Sequence, residues 1–195
     1  VGTFQIYNML AAAGLVLCEH QLEEVEKVLS LLPQLKGVPG RLEHVATLAN
    51  GAAVYIDYAH TPAALANILK TLRPHTQHKL HVVFGCGGDR DTGKRPEMGK
   101  AASELADHVI VTDDNPRSEE PAAIRKAILA ASPGAKEVAD RKEAIYVALK
   151  ALGAGDILVI AGKGHEKTQI IGTHVMPFDD AEVTRAAVAE LELAV

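Results

Sequence analysis

At 195 residues, 48% of them hydrophobic, the chain can bury the core of one full domain, or of one domain plus a fragment. With 4% aromatics and no Trp, that core is built of Ala, Val, Leu and Ile. The formal net charge of −5 argues against a nucleic-acid-binding surface, which needs a basic face, and no apolar run is long enough to insert in a membrane.

Cys18 and Cys86 lie far apart and match no metal-ligand spacing, so reduced thiols and a cytoplasmic location are expected. The chain opens at Val1-Gly2-Thr3-Phe4 with neither an initiator Met nor a charged-then-apolar leader. It runs directly into helix-like sequence, as though cut from something longer.

Residues 5–18 read as an Ala/Leu-rich helix and 22–32 as an amphipathic one. Pro33, Gly37, Pro39 and Gly40 punctuate a hinge, and a domain boundary is placed there, giving domains 1–39 and 40–195. Strands over 42–48 and 53–58 flank Asn50-Gly51, a strong hairpin signal. Thr61 then caps a helix through residue 72, with Pro62 at its first position. Strands follow over 80–84, 108–111, 137–139 and 157–161, interleaved with helices over 96–106, 121–131 and 141–152. A short strand over 169–171 and a helix over 181–193 complete the pattern. The fold class is α/β: a Rossmann-like, doubly wound, mostly parallel sheet with an N-terminal hairpin, preceded by a short helical segment.

Four polar clusters follow predicted strands, where open α/β sheets bind ligands. The first, Asp57-Tyr58-Ala59-His60-Thr61-Pro62, reads equally as a capping turn or as a ribose- and anion-binding turn. The second runs from Gly85 to Pro96, with Arg90, Lys94 and Arg95 beside Asp89 and Asp91. It matches neither the dinucleotide fingerprint nor a phosphate-cradling P-loop. Its glycines favour function over a plain surface loop, because they carry backbone entropy without helping packing. The third, Asp113-Asp114-Asn115-Pro116-Arg117, could hold a zwitterion, with Arg117 gripping a carboxylate and both acids facing an ammonium; the alternative is a helix cap with a surface Arg. The fourth is Gly162-Lys163-Gly164-His165-Glu166, whose Lys163, His165 and Glu166 read singly as solvated. His75, His78, His81 and His174 pair with no evident partner. Together the loops suit a small amino acid or a nucleotide, and their chemistry does not choose between them.

These motifs resemble the ATP-dependent Mur ligases that build the peptidoglycan stem peptide, and the resemblance spans essentially the whole chain. Tyr7-Asn8 with the Ala-rich helix looks like the end of the family's central ATPase domain, and Pro39-Gly40-Arg41-Leu42-Glu43 like its hinge. Asp57 to Pro62, Gly87 to Asp91, Gly93 to Pro96 and Gly162 to Glu166 look like motifs of the C-terminal domain. Within the family, Asp114-Asn115-Pro116-Arg117 looks like the signature of members that add meso-diaminopimelate to UDP-MurNAc-L-Ala-D-Glu. By that resemblance Arg90, Asp114, Asn115, Arg117, Gly162 and Glu166 contact diaminopimelate, with Arg117 on its distal carboxylate and Glu166 on its distal ammonium. Asn8, Arg41, Asp57 and His60 serve ATP, with Asn8 at the adenine.

The resemblance also implies Mg²⁺, an acyl-phosphate intermediate and attack on it by the diaminopimelate amine. The phosphate loop and metal-binding acids of the family have no counterpart in the sequence. The chain is therefore expected to be a C-terminal fragment, inactive as a ligase by itself, whose first helices are exposed, mobile or dimerising. The alternatives are a free-standing Rossmann-like nucleotide-binding module and a non-catalytic interaction domain.

Overall fold

Two helices make up the first of two units, Val1–Val38 and Pro39–Val195, in the computed structural model, which describes residues 3–18, 25–34 and 37–193. Helix α1 spans Thr3–Cys18, and α2 spans Val25–Leu31 before a 3-10 turn over Leu32–Gln34. The predicted start of the second helix, 22–24, lies outside the described residues. A run of strong helix formers explains α1. Its apolar side chains do not gather on one face, and Ile6, Tyr7, Leu10, Leu15 and Val16 are all exposed.

The second unit is a six-stranded sheet with helices on both faces. Its strands are β1 (Glu43–Thr47), β2 (Ala53–Asp57), β3 (Leu80–Phe84), β4 (His108–Val111), β5 (Lys136–Glu137) and β6 (Ile157–Ala161), in the order β1-β2-β6-β3-β4-β5. Only β1 runs antiparallel to its neighbour; the others pair in parallel. The short apolar runs of β3 and β6 are buried at every position, as central strands covered on both faces must be. Residues 48–52 connect β1 to β2, with the Leu48 N–H donating to Ala52 O at 2.9 Å and Gly51 at φ +85° supplying the left-handed position of the turn.

Helices α3 (Pro62–Leu72), α4 (Lys94–Leu105) and α5 (Pro121–Leu129) pack side by side, and α6 (Arg141–Lys150) packs on α7 (Asp180–Leu193). Val54, Ile56, Val83, Ile110, Leu158 and Ile160 join Ile145, Leu149 and Val188 in one apolar core against α6 and α7. Alternation along the strands turns Val82, Phe84, Val111 and Val159 to the other face, toward α3, α4 and α5. After β2, β3 and β4 the chain returns over one face. After β5 it returns over the other, inserting β6 between β2 and β3. That reversal opens a crevice at the carboxyl ends of the parallel strands.

The doubly wound sheet, its hairpin and the Thr61-capped α3 appear as expected; the Thr61 hydroxyl accepts from the Ala64 N–H at 3.3 Å. Helix α4 begins at Lys94 rather than at Pro96, because proline is tolerated anywhere in a first turn. The strand predicted over 169–171 is β7 (Thr168–Ile171), but it stands outside the main sheet, paired with β8 (His174–Pro177). All four residues of β8 are exposed, so the sequence carries no alternation to reveal it. No helix among the described residues is long and apolar enough to cross a membrane.

His81 does have a partner: it is buried on β3 with Nε2 3.1 Å from Asp156 Oδ2 and its ring 4.6 Å from that of His108. Burial pushes the imidazole below the usual histidine range; Asp156 opposes this, and His108 adds to it. The folded value therefore lies below the unfolded one, near 6.5. Stability present above that pH is lost as pH falls through the lower folded value. Urea midpoints should thus decline from pH 7.5 to pH 5.5, and His81→Gln should flatten that decline.

Candidate functional site

The loops leaving β2, β3, β4 and β6 close around one cleft of about 440 Å³. Its charged lining is balanced, with Arg90, Lys94 and Arg117 against Asp91, Asp114 and Glu166. A balanced lining suits a zwitterion better than a polyanion, which calls for net positive charge. Tyr58, His60, Thr61, Gly162 and the Gly85-Cys86-Gly87 turn complete the wall. Burial pushes the Cys86 thiol up to about 12, so it stays protonated and is no nucleophile at neutral pH.

Asn115, 2% exposed, ties these loops together. Its Nδ2 donates to Glu166 Oε2 at 2.8 Å, and its Oδ1 accepts from Lys163 Nζ at 3.1 Å and from the Ile170 N–H at 3.0 Å. Its backbone oxygen accepts from the Gly88 N–H at 2.9 Å and, more weakly, from Arg117 Nη1 at 3.4 Å. Arg117 Nη1 also donates to Gly88 O at 2.8 Å. The Arg117 guanidinium and the Glu166 carboxylate, one cationic and one anionic, are thus both referred to the same residue. Asp114 is 8% exposed and borders the cleft beside Gly162, whose φ of +110° and lack of a side chain make room for the Asp114 carboxylate.

The loop after β3 is locked onto the loop after β4. Asp89, at φ +54°, accepts from the Ser118 hydroxyl at 2.6 Å, while its N–H donates to Glu119 at 2.6 Å. Glu119 in turn takes Arg95 Nη2 on both oxygens, at 2.8 and 2.9 Å. These glycines do serve packing, contrary to the sequence argument that favoured function there. A Cβ at Gly88 would lie 1.9 Å from Pro116 O, and one at Gly85 would lie 2.3 Å from Thr112 O. Their absent side chains let two backbones interlock.

All six residues expected at diaminopimelate, Arg90, Asp114, Asn115, Arg117, Gly162 and Glu166, border this cleft, as does His60. Arg41 and Asp57 are not among the residues that line it. The Arg41 guanidinium stacks 4.3 Å over the Tyr58 ring. Asp57 accepts from the N–H groups of Leu42 at 2.7 Å and Ala59 at 2.8 Å, fixing the start of the second unit to the end of β2. Asn8 is an exposed position on α1 in the first unit.

Three sequence readings need correction. Asp113 does not face the cleft with Asp114; it turns to Arg125 of α5 in a close ion pair. Arg95 is 5% exposed and spent on Glu119 rather than free for a ligand. Lys163 is not solvated but fully buried, donating to Asn115 Oδ1, to Glu166 Oε2 at 3.2 Å and to Thr168 O at 2.6 Å. Glycines stand on both sides of Lys163, directly after an all-apolar strand; in the fold both take positive φ, and the turn they make carries that side chain inward.

Comparison with known proteins follows the same lines. Residues 40–164 match the family model described as Mur ligase, glutamate ligase domain. A UDP-N-acetylmuramoyl-L-alanyl-D-glutamate–2,6-diaminopimelate ligase of Mesorhizobium japonicum is 57% identical over 189 residues, covering 97% of this chain and 39% of that protein. The protein of that name from Zymomonas mobilis is 55% identical over 192 residues, covering 96% and 39%. A solved structure of a ligase of the same name shares 40% identity and superposes with a TM-score of 0.77, over 98% of this chain and 39% of the other. The UDP-N-acetylmuramate-alanine ligase of Thermotoga maritima, at 20% identity and TM-score 0.67 over 100% and 39%, shares the fold. The chain thus spans about two fifths of the length of these relatives.

Proposed function

The chain belongs to the Mur ligase family, and on that premise we propose that it is the amino-acid-selecting part of an ATP-dependent ligase joining meso-diaminopimelate to UDP-MurNAc-L-Ala-D-Glu. The observation that carries this reading is the pairing of Arg117 and Glu166 in one cleft, both held to Asn115. The distal end of meso-diaminopimelate bears a carboxylate and an ammonium; lysine lacks the carboxylate. With Nη1 anchored on Gly88 O and Asn115 O, the rest of the Arg117 fork can take that carboxylate. Glu166 takes the distal ammonium, with Asp114 on the same wall.

In the reaction this implies, the γ-carboxylate of the D-glutamyl group accepts the terminal phosphoryl group of ATP. The diaminopimelate amine attacks the resulting acyl phosphate, and the tetrahedral intermediate expels phosphate as the amine loses its proton. This chain's share is to bind the amino acid and aim its amine, a matter of proximity and orientation. His60 and Arg41, beside Tyr58, are suited to the ATP phosphates or ribose, with Asp57 offering its remaining lone pairs. Among the described residues no group of three or more His, Cys, Asp or Glu is placed to hold a metal ion. An enzyme using ATP and a nucleotide-linked substrate is placed in the cytoplasm.

Titration calorimetry tests the reading. Meso-diaminopimelate should bind at least about 100-fold more tightly than L-lysine, because a site built for a charged group rejects the analogue that leaves it unmatched. Equal affinities would refute it.

A further inference from the structure

Strand β7 and the Gly172 that follows it lie against the 114–117 turn and hold it by four hydrogen bonds. Gln169 Nε2 donates to Asp114 O at 2.8 Å, and the Ile170 N–H donates to Asn115 Oδ1 at 3.0 Å. The Arg117 N–H donates to Ile170 O at 3.1 Å, and the Gly172 N–H to Arg117 O at 2.7 Å. Arg117 needs this support, because its φ of +52° lies in the left-handed region that a residue with a Cβ enters only when its surroundings hold it there. With both backbone groups fixed by β7 and Nη1 fixed by Gly88, the fork has one direction in which to point.

The opposite pole of the cleft is held by Lys163. Its three protons meet three acceptors, Asn115 Oδ1, Glu166 Oε2 and Thr168 O, and the side chain has no exposed surface. One oxygen of Glu166 is thereby tied to Lys163 and Asn115, and Lys163 is itself tied to the first residue of β7. Neither Lys163 nor Gln169 borders the cleft.

Resting on the function proposed above, we infer that β7 and Lys163 are positioning elements that fix the separation of Arg117 from Glu166, and so set which diamino acid the cleft accepts. They act through other residues and touch no ligand. Their loss should therefore erode discrimination between ligands more than affinity in general. A merely structural role would weaken both ligands alike.

The test is an NMR titration of the full chain with meso-diaminopimelate and L-lysine, in the wild type, Lys163→Met, Gln169→Met and the control Arg117→Ala. Lys163→Met should cut the ratio of the two affinities at least about tenfold, mostly through weaker diaminopimelate binding. Gln169→Met, which removes one hydrogen bond at nearly constant volume, should cut it about fivefold. Lost amide dispersion would show that Lys163→Met has unfolded, and the milder Gln169→Met then decides alone. A folded Gln169→Met or Lys163→Met with the wild-type ratio overturns the positioning role, while a collapsed ratio in Arg117→Ala leaves the parent reading standing. A wild type that fails to discriminate overturns that reading and this inference with it.

Discussion

Arg141→Ala should cost the second unit about 3–5 kcal/mol of folding stability, a large part of the 5–15 kcal/mol typical of a domain. Arg141 and Asp180 are the first residues of α6 and α7, and both side chains are wholly buried. They meet fork to fork, Nε to Oδ1 and Nη2 to Oδ2, each at 2.7 Å. Burial alone would push the guanidinium's pKa down, but Asp180 outweighs it and holds the charge in place. Nη2 also donates at 3.0 Å to the carbonyl of Ala161, the last residue of β6 and the neighbour of Gly162, which borders the cleft.

Truncating Arg141 leaves Asp180 charged, buried and unmatched, which is why removing one partner harms more than replacing both. Arg141→Met combined with Asp180→Leu should therefore recover most of the stability lost in Arg141→Ala. Urea unfolding of the three variants, followed by circular dichroism, measures this directly. A loss below about 1 kcal/mol in Arg141→Ala would show that the pair bears little of the fold.

Arg117→Ala should weaken meso-diaminopimelate binding by about 2–5 kcal/mol, thirtyfold or more, while leaving L-lysine nearly unaffected. The asymmetry follows from the chemistry, since only diaminopimelate brings a distal carboxylate to this guanidinium. Arg117→Lys should not restore selectivity. An ammonium cannot hold Gly88 O and Asn115 O through one nitrogen while presenting a planar fork to a carboxylate. Equal losses for both ligands would place Arg117 outside the selective contact.

Much of this architecture was legible because local signals agreed with the global fold. Leu80–Phe84 and Ile157–Ala161 are short, apolar and rich in β-branched residues, and they became the two innermost strands. Thr61-Pro62 announced α3, and the strand-end position of the four polar loops announced the cleft. Features that depend on what a side chain meets across the fold were not legible. Gly85 and Gly88 look like ligand-binding glycines until Thr112 O and Pro116 O are seen where their side chains would stand. Lys163 reads as solvated until Asn115, 48 residues away, joins Glu166 and Thr168 as an acceptor around it. His81 acquires Asp156 from 75 residues away. Strand β8 is exposed along its length, and its pairing with β7 cannot be found from hydropathy.

A crystal structure of the chain with meso-diaminopimelate tests the central claim most directly. It should place the distal carboxylate on the Arg117 guanidinium and the distal ammonium on Glu166, with Asn115 between them and the Arg117 backbone unmoved against β7. A ligand bound in the reverse sense, or outside the cleft at the ends of β2, β3, β4 and β6, would contradict it.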